Sequence, residues 1–259
     1  GLGDVYKRQN VGGIVLLAVK SGAGSAYKNM CAERFEEEAR KTGKPFRIVY
    51  LTNVGGSYNM LGETLRLTRE VLLEVSDFRR ENCPLSALTL GVKCGTSDAT
   101  SGIAGNPCVG AAFDQLIRAG GTAFFSETTE IIGAEDLVAK RAVNESVAKK
   151  ILSAARHWED KAKATGEDIR KINPIPANIA AGISSLEEKS LGAIAKSGTS
   201  PIQDVLKYAE MPKGSGLYFV DSWMSSLSLP LCLTACGATI MLYQMGGGKI
   251  AQHLSLIHI

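Results

Sequence analysis

The stretch LTLGVKCGTSDATSGIAGNPCVGAAFDQLIRAGGTAFFS, residues 88–126, decides the fold class. Its first five residues, 88–92, form a short apolar run bounded by turn formers, the pattern of a buried strand. Residues 94–107 follow as a polar, glycine-bearing loop. Asn106 and Pro107 suit the cap and first turn of a helix, and Val109, Phe113, Leu116 and Ile117 then recur at helical spacing. Gly120 and Gly121 stop that helix, and TAFFS (122–126) reads as the next strand. The unit is strand, loop, helix, strand.

The same alternation runs through the earlier residues. GIVLLAV (13–19) predicts a strand, 26–40 a charged amphipathic helix, FRIVYL (46–51) a second strand, and 59–78 a helix with Leu61, Leu65, Leu72 and Val75 on one apolar stripe. Strands alternating with helices imply an α/β fold with a largely parallel sheet flanked by helices on both faces. Ligands of such sheets bind beyond the carboxyl ends of the strands. Three polar segments fall there: 52–57, which offers Asn53, Gly55 and Gly56, then 94–106, then 127–130. The expected division is an α/β domain over 10–165 carrying the CGTSD loop and a second α/β portion over 166–250. GLGDVYKRQ (1–9) and LSLIHI (254–259) lack the interior pattern and are expected to be non-native ends of a fragment.

Composition narrows the function classes. A chain of 259 residues with 45% hydrophobic content can bury an enzyme-sized core. A net charge of +3, with basic and acidic residues interspersed, does not call for nucleic acid. Six cysteines without CxxC spacing or a secretory signal point to free thiols in a reducing, cytoplasmic setting. Residues 222–248 are uncharged and long enough to cross a bilayer, but Pro230, Gln244 and a triple glycine divide them into a helix and a strand over 239–245, so no membrane span is expected. Two of three histidines, His253 and His258, lie in or beside the suspect tail. His157 belongs to a charged helix over 145–163, where a solvated role is expected. Acid–base work therefore falls to carboxylates, lysine, thiol or metal-bound water.

The loop after residue 92 brings Cys94, Thr96, Ser97, Asp98, Thr100, Ser101 and Asn106 together with Gly95, Gly102 and Gly105, which permit close backbone approach. Its bland alternative is a surface connection rich in Gly and Ser. A second polar signature is NPIPANIAAGISSLEEKSLGAIAKSG (173–198). Ser184 to Glu188 suits a helix cap with an acidic first turn, a structural role for Glu187, while Glu188 and Lys189 are candidates for chemistry. A flavodoxin-like binding module without chemistry also explains the alternation, though it needs no thiol–carboxylate cluster. No GxGxxG or GxxxxGKS follows any strand, which argues against nucleotide chemistry.

These two segments, with GLYFVDSW (216–223), resemble the altronate and galactarate dehydratase family, which includes the large subunit of sulfolactate sulfo-lyase. The resemblance runs from about residue 10 to 248. It implies a lyase that removes a group β to a carboxylate with a divalent metal, ferrous iron first and manganese second. It also implies a small N-terminal domain or separate small subunit as partner, a small hydroxy-acid substrate, and self-association into a homo-oligomer. On this basis Cys94, Asp98 and Glu127 are the expected metal ligands. Asp98, Glu130, Glu188, Lys189 and Lys196 are the expected catalytic groups, with Glu127 or Glu130 as general acid and Lys189 or Lys196 as base or carboxylate anchor. Asn53, Gly55, Gly56, Gly95, Ser97, Ser101, Asn106 and Asn178 are the expected substrate contacts.

Departures from the family pattern are specific. Ser21, Gly22, Ala23 and Gly24 stand where a Gly-Cys-Glu element is common, Thr96 replaces a glycine, PAN (176–178) replaces PGN, and MGGG (245–248) replaces Thr-Gly-Arg-Gly. They fit a divergent subgroup. Water loss from a sugar acid is the first expectation and sulfite loss from sulfolactate the second, because PANIAAGISSLEEKS and FVDSWMSSLS resemble the sulfo-lyase branch and sulfite leaves more easily than hydroxide.

Overall fold

A computed structural model describes residues 12–18 and 32–246. The chain divides into two compact units between Asn82 and Cys83. The expected foreign ends, Ser21 to Gly24 and the last two residues of MGGG lie outside the described residues.

The smaller unit contains β1 (Ile14–Ala18), α1 (Ala32–Thr42), β2 (Phe46–Tyr50) and α2 (Ser57–Ser76). β1 and β2 pair in parallel, Ile14 opposite Phe46 and Ala18 opposite Tyr50. Val71 of α2 packs on the backbone of Gly13, where a Cβ would meet its Cγ1 at 2.5 Å. The buried face of α2 is carried by Leu67 and Val71, whereas Leu61, Leu65 and Leu72 of the expected stripe are exposed. The helix is apolar on two faces, and a two-stranded sheet covers one. Asn53, Gly55 and Gly56 form the exposed turn between β2 and α2, and both glycines have positive φ, 70° and 115°.

The larger unit is built on a five-stranded parallel sheet. Its strands are β3 (Thr89–Cys94), β4 (Thr122–Phe125), β5 (Ile202–Leu206), β6 (Gly216–Val220) and β7 (Ile240–Gln244), in the order β5-β6-β4-β3-β7. The helices are α3 (Asn106–Arg118), α4 (Glu135–Ala139), α5 (Glu145–Ala164), α6 (Ile169–Ile172), α7 (Pro176–Ala180), α8 (Leu186–Ile194) and α9 (Ser228–Cys236). Strands from both sides of residue 165 share this sheet, so the expected boundary at 165/166 falls inside one hydrogen-bonded layer and the observed division lies at 82/83. The uncharged segment resolves into α9 and β7. No helix among the described residues is long and apolar enough to cross a membrane.

Burial explains why the central strands are almost wholly apolar: every residue of β4 and β6 is buried. Strand alternation sends Leu90, Val92, Ala123, Phe125, Leu217 and Phe219 into one core with Phe113 of α3 and Ile151 of α5. Phe124, Tyr218 and Val220 enter a second core with Leu229, Leu233 and Met241. By the same alternation Lys93 falls on the face of Gly91, and Cys94 on the face of Leu90 and Val92.

A backbone junction places the turn after α8. Asp114 of α3 accepts from the amides of Thr199 (2.9 Å) and Ser200 (2.9 Å) and from both hydroxyls, at 2.8 and 2.6 Å. Burial opposes its ionisation, but these donors hold the carboxyl below its ordinary range. Beside it, Gly110 lies against the Ala195 carbonyl and the Gly198 backbone, leaving no room for a side chain. Gly110→Ala is therefore expected to destabilise the protein by about 1–3 kcal/mol, measured by urea unfolding. The junction matters because residues 195–197 carry Lys196.

Candidate active site

Glu127 follows β4 directly and occupies the left-handed region, φ 72°, a conformation uncommon for a residue with a Cβ. The next residue holds it there. Thr128 donates from its backbone to Ser222 O (2.9 Å) and from its hydroxyl to Asp221 (2.8 Å), and accepts from Ser222 N (3.1 Å). Asp221 also accepts from the Trp158 indole of α5 at 2.8 Å. The turn after β4 is thus fixed to the end of β6, and the strain at Glu127 is offset by these bonds.

Fixed in this way, the Glu127 carboxylate is fully buried between two lysines that are each 2% exposed. Lys93 Nζ donates to Oε1 at 3.2 Å, and Lys196 Nζ donates to Oε2. The amide of Cys94 (3.1 Å) and its thiol (3.2 Å) also donate to Oε2, while Lys196 lies 3.1 Å from the same sulfur. Burial alone would raise the Glu127 pKa, but the charges of Lys196 and Lys93 outweigh it and lower the group to about 2. Burial likewise opposes charge on both lysines, yet Cys94 and Glu127 raise Lys196, and Glu127 with Cys94 and Tyr243 raises Lys93. Both stay protonated at neutral pH.

For Cys94 burial is the larger cause, followed by the Glu127 charge, and the thiol is pushed up to about 12. A buried neutral thiol is unreactive. Iodoacetamide applied to the native protein is expected to alkylate the exposed Cys83 and Cys108 and spare Cys94, as read by peptide mass spectrometry.

In front of this cluster lies a cavity of about 470 Å³ at the carboxyl ends of β3 and β7, whose walls include Lys93, Ser97, Glu130, Asn178, Lys189 and Tyr243. Glu130 and Lys189 are both buried and pair at 3.3 Å, and Lys189 also donates to Asn173 Oδ1 at 2.7 Å. The Lys93 ammonium sits 5.2 Å from the Tyr243 ring centre. Three lysines face two glutamates across the cluster and cavity, leaving one positive charge uncompensated. Such a site suits an anion.

The expected metal ligands do not form a set. Asp98 turns into its own loop, accepting from Thr100 Oγ1 (2.7 Å), Ser101 N (2.9 Å) and Ser101 Oγ (3.1 Å); the Thr100 bond, then those of Ser101, lowers its pKa. Glu127 already holds two ammonium groups, and its neighbour Cys94 favours the thiol. Among the described residues no three His, Cys, Asp or Glu side chains come together as metal ligands. Among the described residues these donors do not fit the iron or manganese implied by the resemblance.

Other expectations are redistributed. Lys196 does not line the cavity; its ammonium is held on Glu127, and burial, which opposes its charge, is outweighed by Cys94 and Glu127, an arrangement that suits positioning Glu127. Glu188 is exposed and accepts from Ser184 N (2.6 Å) and Oγ (2.5 Å), while Ser185 Oγ accepts from Glu188 N. It reaches back to Ser184, one residue before the Ser185 N-cap, and so braces the start of α8, one residue later than the role expected for Glu187. Lys189, one position on, points inward. Gly95 donates its amide to Gln244 O at 2.7 Å, and a Cβ there would press on Met245 and Tyr243. Asn178 holds Ser97 O at 3.0 Å, and Asn106 holds Gly192 O at 2.8 Å. Ser97 and Asn178 reach the cavity, while Ser101 and Asn106 line a neighbouring one. Lys93 was not among the expected residues. Its signal is a lone charge within TLGVKC, a strand buried from Leu90 to Cys94.

Comparison with known proteins shows the family. Residues 85–256, which carry every side chain of the cluster, match the family model "D-galactarate/Altronate dehydratase, C-terminal". The chain belongs to that family. It is 40% identical over 245 residues to altronate dehydratase of Bacillus subtilis, covering 95% of this chain and 48% of that protein. It is 38% identical over 193 residues to galactarate dehydratase (L-threo-forming) of Escherichia coli, covering 74% and 37%. It is 32% identical over 245 residues to (2R)-sulfolactate sulfo-lyase subunit beta of Chromohalobacter salexigens, covering 93% and 60%. The chain therefore spans between about a third and three fifths of these family members.

Proposed function

We propose that this chain carries the catalytic body of a lyase that removes water from a sugar acid, together with a further small domain or subunit. The observation that supports this reading is Lys93, an ammonium held by the Cys94 carbonyl and the buried Glu127 carboxylate, in a residue that lines one cavity with the Glu130–Lys189 pair.

Loss of a proton next to a carboxylate builds charge on that carboxylate as an enediolate. A preorganised cation in a dry site stabilises this charge where it develops. Lys93 binds the substrate carboxylate, and Glu127, pinned by Lys196, keeps Lys93 from moving. Glu130 takes the proton from the carbon next to the carboxylate, and the C–H electron pair forms the enediolate. That pair then forms the carbon–carbon double bond as the bond to the β-hydroxyl breaks. Lys189 gives a proton to the departing oxygen, which leaves as water, and the resulting enol becomes a 2-keto acid. Proton transfer across the 3.3 Å Glu130–Lys189 contact restores both groups.

Sulfite loss from sulfolactate is the second reading. It is favoured by the match to the sulfo-lyase subunit, which takes in a larger share of its relative than do the dehydratase matches quoted above. Incubation of the purified full-length protein with altronate, galactarate and sulfolactate separates the two by assay of 2-keto acid and sulfite. Keto acid from a sugar acid is the expected product. Sulfite without turnover of the sugar acids selects the second reading, and no product from any of them rejects both.

A further inference from the structure

Asn173 has no part in the steps above, yet it lines the same cavity as Glu130 and Lys189. Its place is set by an anchored turn. Asn173 follows α6, and its backbone amide donates to Ile169 O at 3.1 Å. Arg170 of the same short helix donates to Glu135 of α4 and to Glu159 of α5, each at 2.6 Å, while Ile169 packs on Ile132, Ala155 and Leu186. Ile132 comes shortly after Glu130 and Leu186 shortly before Lys189, and Ser190 Oγ donates to Ile132 O at 2.5 Å. One small core therefore sets the spacing of Asn173, Glu130 and Lys189.

The Asn173 side chain has one orientation. Lys189 Nζ lies 2.7 Å from it, and an ammonium has donors only, so the atom facing Lys189 is the carbonyl oxygen Oδ1. The other end, Nδ2, then carries two N–H donors. Among the described residues Nδ2 has no hydrogen-bond partner, and it is not one of the polar atoms sealed from solvent. Oδ1 and Nδ2 share one carbon, so Nδ2 stands next to the Lys189 ammonium. A donor fixed in direction and left open on a cavity wall suits an acceptor atom of the ligand.

We propose that Asn173 is a further substrate-contacting residue: Oδ1 holds the Lys189 ammonium beside Glu130, and Nδ2 donates to the oxygen β to the substrate carboxylate, the same oxygen that takes the Lys189 proton. This rests on the reading of the cavity as the site of the elimination. Lys189 supplies the proton and Asn173 keeps both of its own, so the oxygen still leaves as water. Negative charge grows on that oxygen while the carbon–oxygen bond breaks, and the hydrogen bond from Nδ2 strengthens with it. Asn173 therefore acts on the rate as well as on binding.

The test uses Asn173→Asp, whose carboxylate keeps an acceptor for Lys189 but has no donor, and Asn173→Leu, which has neither. Calorimetric titration of the purified full-length protein compares altronate with its 3-deoxy analogue, which lacks only the β-oxygen. In Asn173→Asp the preference for altronate over the analogue is expected to fall about tenfold, the scale of one hydrogen bond. Comparing the two acids cancels the repulsion that the new carboxylate exerts on both. Turnover of altronate is expected to fall about tenfold in Asn173→Asp and about tenfold further in Asn173→Leu, where Lys189 also loses its anchor. A thermal melt of each sample checks the fold. An unchanged preference in Asn173→Asp overturns the contact, and equal turnover of the two variants overturns the anchoring of Lys189; either result leaves the elimination site standing as long as the wild type turns over. If the wild type binds neither acid, the reading of the cavity falls and this inference with it.

Discussion

Replacing Lys93 with methionine is expected to lower kcat/KM for the sugar acid by about 10²–10³, the usual cost of removing one preorganised group that stabilises charge in the transition state. Methionine keeps most of the side-chain volume in the strand. Glu127 would keep the Lys196 ammonium and the Cys94 amide, so the fold should survive. The loss is expected mainly in kcat, since charge on the substrate carboxylate grows as the enediolate forms. Steady-state kinetics with a thermal melt on the same sample checks it. Turnover within about tenfold of the wild type would remove Lys93 from the mechanism, because so small a change lies below the range for such groups.

Glu127→Gln carries the largest expected cost in stability. It leaves two ammonium groups buried side by side without their carboxylate, and breaking a buried ion pair from one side costs about 3–5 kcal/mol. Glu127→Gly is a useful companion, because glycine accepts φ 72° freely and regains about 1–2 kcal/mol of backbone strain. If Glu127→Gly equals or exceeds the wild type in urea unfolding, the ion cluster adds no net stability.

The same group sets a pH dependence whose sign follows from its shift. Glu127 titrates near 2 when folded instead of near 4.5, so between these values the unfolded chain binds more protons than the folded one. Its contribution, about 3 kcal/mol from the size of the shift, is present above pH 4.5 and lost as pH falls towards 2. Lys93 and Lys196 are shifted upwards, so the same attraction is present below their ordinary value of 10.5 and lost as pH rises beyond it. The three shifts describe one interaction and do not add. Unfolding midpoints measured from pH 7 to pH 3 are expected to fall in the wild type and to fall less steeply in Glu127→Gln, where Asp114 and the other lowered carboxylates still titrate.

Several parts of this protein are written locally, within a few turns of chain. Alternation of apolar residues marks β3 and β4, the Asn106-Pro107 pair begins α3, and Ser184 to Glu188 spells the cap of α8. The placing of polar segments beyond strand ends follows from parallel strands alone, so Cys94, Glu127 and Glu130 were legible as a neighbourhood. What each residue does there was not. Asp98, the most catalytic-looking group in the loop, spends its carboxylate on its own turn, and Glu188 does the same at a helix start. Lys93, between the strand at 88–92 and the loop from 94, drew no reading from sequence.

Only the tertiary structure decided that Lys93, Glu127 and Lys196, separated by 34 and 69 residues, share one buried site. That meeting depends on β3 lying next to β4, on Thr128 being bound to the end of β6, and on Gly110 and Gly198 letting two backbones touch. Periodicity reports which way a side chain faces from its own element. Whether a buried charge finds a partner is settled by which elements become neighbours, and in a low-dielectric interior that choice also fixes which groups stay charged.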